Sequence, residues 1–166
     1  MSRQKVKLML SLLAVIAVAA MIFFFSAQDG EDSSRLSAGI TKWLVAHVVS
    51  DFAEMTPNEQ LAIMERASFI VRKAAHFSEY ALLAMAIMVF LHYYRPNRRP
   101  SVMVVCAWIG ATIYASTDEL HQMFVDSRGP AVRDVCIDSA GAVLGALVGM
   151  ALLSFVLWRR RRAQSI

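Results

Sequence analysis

Four stretches of this chain are apolar over about the 20 residues that a helix needs to cross a bilayer. They lie at about residues 8–25, 74–94, 101–122 and 135–158. No other feature constrains the fold as strongly. A backbone inside a bilayer must satisfy its own polar groups, which makes each span a helix. Composition agrees. Of 166 residues 57% are hydrophobic, the mean hydropathy is +0.49, and Gly and Pro are sparse, outside ordinary globular usage. The expectation is an all-α membrane protein, a single domain over residues 1–166 built as a four-transmembrane-helix bundle. The first span has an apolar run longer than a signal-peptide core, and Phe25 is bulky near any cleavage point after Ala27, so it reads as an uncleaved anchor.

Basic residues set the orientation. Arg3, Lys5 and Lys7 precede the first span, Arg95, Arg98 and Arg99 join the second to the third, and a basic tail (residues 159–166) follows the fourth. Four spans put all three groups on one side, which is then cytoplasmic, with both termini inside (N-in/C-in) and the protein multi-pass in the plasma membrane. The net charge of +4 belongs to this topology signal and gives no reason to expect a nucleic-acid partner. Cys106 and Cys136 each fall near the start of an apolar segment. Antiparallel spans place them at opposite faces, too far apart for a disulfide, and they read as small buried residues.

The outer stretch between the first two spans carries its own pattern. Leu36, Ile40, Trp43, Leu44, His47 and Val48 recur at helical spacing, which predicts an extracytoplasmic amphipathic helix lying on the membrane surface or on the bundle. "TPNE" at residues 56–59 reads as a second helix start, with Thr56 as N-cap, Pro57 at the first position and Glu59 closing a capping box. That helix is expected to run into the second span with a bend near Ser68.

Counting about 20 residues outward from the cytoplasmic end of each span locates the outer boundary. The counts place His76 and Glu79, then Asp118, Glu119 and His121, then Asp134 and Asp138 at one level. The faces agree. Arg72, His76, Glu79 and Leu83 form one stripe. Asp118, His121 and Gln122 share a face that continues through Ala115 and Ala111, and Asp134 and Asp138 share one with Gly141, Gly145 and Gly149. The GxxxGxxxG run admits a close helix neighbour, within the bundle or in a helix–helix oligomer. The expected site is a polar pocket at the outer mouth of the bundle.

Three of these segments, "RKAAHFSEYALLA" (72–84), "TDELHQ" (117–122) and "RDVCIDSAGAVLG" (133–145), together with "FSAQDGEDSSRLS" after the first span, resemble the VanZ-like membrane proteins. The resemblance covers about residues 22–149. It implies a role in the cell envelope. The family takes its name from an accessory factor in resistance to glycopeptide antibiotics, notably teicoplanin, so glycopeptide susceptibility is the phenotype it points to.

The pocket supports two main readings. In the first, Arg72, Lys73, Gln122, Arg128 and Arg133 bind an anionic envelope molecule, because Arg offers carboxylates and phosphates a two-pronged donor. Membrane lipids, lipid-linked cell-wall precursors and anionic envelope polymers are the expected partners. In the second, His76, Glu79, Asp118, Glu119, His121, Asp134 and Asp138 act as general acids, bases or metal ligands in phosphoester chemistry on a lipid-linked substrate. These N and O donors suit Mn, Zn or Mg without selecting one, and nothing selects a cofactor. Ser116, Thr117 and Ser139 are available nucleophiles, with none favoured. Taken singly, each residue has an ordinary alternative as a hydrogen bond that locks helix register, and His47 and His92 read as interface or surface residues with no functional role. Taken together they read as functional, since this many ionisable groups at one membrane level is costly scaffolding. Transport ranks last, because no charged residue lies deep in the cytoplasmic halves and no helix pair is broken.

Overall fold

The computed structural model describes residues 1–27, 30–123 and 131–164, and every described element is helical. Five α-helices follow in order: α1 (Arg3–Ser26), α2 (Gly30–Val48), α3 (Pro57–Tyr94), α4 (Pro100–Gln122) and α5 (Val132–Gln164). All but α2 are long and apolar enough to cross a membrane. Their exposed side chains are large and apolar along much of each span, among them Leu13, Phe24, Ile113, Leu152 and Phe155. Such a belt is stable against lipid and would not be against water.

α3 is the central element and packs against all four other helices, most extensively against α5. Its start is fixed locally. The Thr56 backbone N–H donates to Glu59 Oε2 at 2.9 Å, and Glu59 N–H reaches back to the Thr56 hydroxyl, with Pro57 at the first turn. The capping box read from "TPNE" is therefore formed. From there the helix runs unbroken for 38 residues, about 57 Å at 1.5 Å per residue. A bilayer core is about 30 Å thick, so the first turns of α3 project beyond it.

α2 packs along this projecting part, but not through the stripe its sequence advertises. Thr41 and Val45 are buried against the bundle, while Ile40, Trp43 and Val48 are 61–69% exposed. The contact is made by small side chains. Ala38 and Thr41 share a groove with Met64, Ser68 and Arg72 of α3, where a Trp would hold the helices apart. The outward stripe keeps its own order: the His47 ring stacks on Trp43 at 4.6 Å.

The core between spans is made of small residues. Ala107, Ala111 and Ala115 of α4, Ala84 of α3 and Ala142 and Ala146 of α5 are fully buried around Tyr80, Leu83 and Met88. Gly141 and Gly145 mark the closest approach. A Cβ on Gly141 would stand 2.1 Å from the Phe77 carbonyl oxygen, and one on Gly145 would stand 1.9 Å from that of Ala81. The glycine face is thus occupied within the chain by α3. Cys106 and Cys136 are unpaired but exposed on their helices, which corrects the expectation that they are buried. An exposed thiol on a lipid-facing helix is simply another apolar surface group.

Candidate functional site

The polar residues of α4 stand on the same face as its buried alanines. Continuing from Ala107, Ala111 and Ala115, the buried positions are Asp118, Glu119 and Gln122. Asp118 and Glu119 lie three and four residues beyond Ala115, and Gln122 lies four and three beyond them, the spacing that keeps side chains on one helix face. Gln122 Nε2 donates to Ser26 Oγ of α1 at 2.9 Å and to Asp118 Oδ2 at 3.3 Å. Glu119 Oε2 accepts the Ala131 backbone N–H at 2.9 Å, which fastens the approach to α5 onto the end of α4.

α5 adds two acids and α3 the countercharge. Asp138 is 3% exposed, and its Oδ1 has no hydrogen-bond partner among the described residues. Around it, within electrostatic range, lie Glu119, Asp118, Asp134 and the ammonium of Lys73. Lys73 Nζ donates to Asp134 Oδ2 in a direct ion pair at the rim, where both side chains are partly exposed. Below that pair, the Tyr80 hydroxyl lies beside Asp118 and near Asp138, with no hydrogen bond of good geometry among the described residues. Three helices thus bring four carboxylates, one ammonium and one phenol to one end of the bundle. The arginine-rich ends lie at the other, where Lys7 approaches the Tyr93 ring and Arg160 approaches His92.

The remaining singled-out residues surround this cluster. His76 and Glu79 face each other, Nδ1 to Oε2, at 3.8 Å. With Arg72 they occupy a stripe about a quarter turn around α3 from Lys73 and Tyr80, and Arg72 lines the groove shared with α2. The His121 ring stacks on Phe23 of α1 at 4.8 Å, and its buried Nε2 has no hydrogen-bond partner among the described residues. Arg133 and Lys73 both sit over the Phe69 ring, at 5.7 and 5.3 Å, which puts two cations on the rim. Arg128 lies outside the described residues.

The available nucleophiles are committed elsewhere. The Ser116 and Thr117 hydroxyls donate to the carbonyl oxygens of Thr112 and Tyr114. Ser139 accepts from Trp108 Nε1 at 2.8 Å and lies 3.0 Å from the Thr112 hydroxyl, so it ties α4 to α5. Among the described residues, no three His, Cys, Asp or Glu side chains are arranged to hold a metal ion. Sequence reasoning passed over Tyr80 and Ser26. Tyr80 had a legible signal, since it stands seven residues after Lys73, two turns along the same face, and carries a hydroxyl into an apolar span. Ser26 had none: its partner, Gln122, is ninety-six positions away.

Four apolar helices, arginine-rich at one end and closed by buried carboxylates at the other, define a multi-span membrane protein whose chemistry lies at a helix-bundle mouth. Residues 11–157 match the VanZ/LLP1 family, and the chain belongs to it. Neither a curated protein nor a solved structure was found to be similar to the chain.

Proposed function

We propose that this protein is an envelope protein of the plasma membrane, with both termini in the cytoplasm and the carboxylate end on the outer side, where it binds the phosphate-bearing head group of an envelope lipid or lipid-linked cell-wall precursor. The observation that carries the reading is the layered charge at that end. Lys73 and Arg133 stand at the rim beside Phe69, and the buried acids lie beneath them. Clustered arginines at the opposite ends support the orientation by the positive-inside bias. Rim cations suit a phosphate at headgroup depth. The family membership supports an envelope setting, and with it an effect on glycopeptide susceptibility, to be read by comparing cells that carry wild type and Asp134→Asn. The catalytic alternative gains no specific support from the geometry.

Two measurements test the reading. In a chain with Cys106→Ala and Cys136→Ala, a cysteine replacing the exposed Asn58 should react with a membrane-impermeant maleimide in intact cells. One replacing Ala163 should react only after permeabilisation. The reverse pattern sinks the orientation. Native mass spectrometry of the purified protein should show a retained phospholipid or isoprenoid phosphate that Lys73→Gln and Arg133→Gln release. Equal retention by the variants removes the rim from the site.

A further inference from the structure

Among the described residues, the cluster holds more negative charge than its surroundings answer. Asp118, Glu119, Asp134 and Asp138 face one lysine, and that lysine is paired with Asp134 at the rim. Carboxylates crowded at low dielectric need a compensating cation or protons. Protons alone leave a defect. A proton on Asp138 cancels charge, but among the described residues Asp138 Oδ1 and the fully buried Tyr80 hydroxyl still make no well-formed hydrogen bond, and buried polar groups are rarely left so. A metal ion fits poorly, because no three ligating side chains are placed to hold one among the described residues.

We infer that Asp138, Asp118 and Tyr80 form a subsite for a primary ammonium group. An ammonium carries three N–H donors, and the subsite offers three acceptors: Asp138 Oδ1, the Asp118 carboxylate and the Tyr80 phenol oxygen. The chain already makes one such contact itself, since the Lys73 ammonium sits on Asp134 in the same cluster. The inference rests on the head-group reading above and deepens it. A zwitterionic head group puts its phosphate against Lys73 and Arg133 and its ammonium against the inner carboxylates, so each end of the head group meets opposite charge. Two sources supply this chemistry, an aminophospholipid and a free primary amine.

The test compares the full chain in nanodiscs, or by native mass spectrometry, with phosphatidylethanolamine, phosphatidylcholine and phosphatidylglycerol. Phosphatidylcholine carries the same phosphate but no N–H donor. Wild type should prefer phosphatidylethanolamine over phosphatidylcholine by about tenfold, the size of one charge-assisted hydrogen bond. Asp138→Asn should abolish most of that preference. Tyr80→Phe, which keeps the ring and its packing, should reduce it several-fold, so the answer does not depend on whether the Asp138 variant folds. Competition by millimolar ethanolamine identifies the free amine as the source, and its failure identifies the lipid; either supports the subsite. Equal binding of phosphatidylethanolamine and phosphatidylcholine overturns the subsite, and if Lys73→Gln weakens both, the rim reading survives alone. Undiminished binding of both lipids by Lys73→Gln and Arg133→Gln, with the preference kept, removes the rim and keeps the subsite. Binding of Mg2+ that Asp138→Asn abolishes, without lipid preference, replaces the ammonium with a metal. Binding of neither lipid nor ethanolamine overturns both readings.

Discussion

Replacing Gly145 by Ala isolates the contact on which the bundle closes. The added Cβ would meet the Ala81 carbonyl oxygen at 1.9 Å, about 1.4 Å short of the ~3.3 Å at which carbon and carbonyl oxygen normally touch. The obstacle is backbone, so no side chain can rotate away, and α5 must move off α3. Overpacking of this kind typically costs about 1–3 kcal/mol, and a rigid obstacle places it at the upper end. Helix propensity acts the other way, since Ala is better than Gly by about 1 kcal/mol inside a helix. The net expectation is a loss of about 2 kcal/mol, a fall of about 4–8 °C in Tm for a chain of this size, followed by circular dichroism in detergent. Gly110→Ala is the control. Its nearest neighbour is Ile87 Cδ1 at 3.7 Å, an ordinary contact, so propensity alone acts and Tm should hold or rise. If Gly145→Ala melts with wild type, or no lower than Gly110→Ala, the close approach of α3 and α5 is wrong.

Two further substitutions probe the polar contacts between spans. Gln122→Leu removes the donor shared by Ser26 and Asp118 and leaves a buried carboxylate without it. A loss of about 1–3 kcal/mol is expected, with Ser26→Ala costing less, and equal Tm values for the two variants would contradict this order. Ser139→Ala takes the acceptor from Trp108 Nε1. Emission from a chain in which Trp108 is the only Trp (Trp43→Phe, Trp158→Phe) should then shift to the blue, and an unmoved spectrum would mean that the bond is not made.

The local elements were legible because their signals are local. The start of α3 is written in four adjacent residues, Thr56 to Glu59, whose hydrogen bonds close on themselves. The spans follow from apolar length alone, and the polar level at one end of the bundle follows from counting rise along each helix. Face was harder than depth. Glu119 lies one turn after Ala115 and is buried with it, whereas His121 stands about 100° around α4 from Gln122 and meets Phe23 instead. Whether a residue beside a stripe turns inward depends on which neighbour covers that side, and periodicity does not name the neighbour.

α2 shows the same division at the scale of an element. Its large apolar residues predicted the helix correctly, yet the side chains that reach α3 are Ala38, Thr41 and Val45. Hydrophobic spacing reports which face is apolar. Packing chooses the face that lets two backbones come close. Alone, the sequence determined that four helices are long and apolar enough to cross a membrane, where α3 starts, and that acidic residues of the later spans gather at one end. The tertiary structure decided which of those residues touch. Lys73 and Tyr80 turn to the carboxylates while His76 and Glu79 turn to each other, because the glycines of α5 draw α3 in to backbone contact and so fix its rotation. Depth along a helix is set by counting residues; rotation about its axis is set by the partner that packs against it.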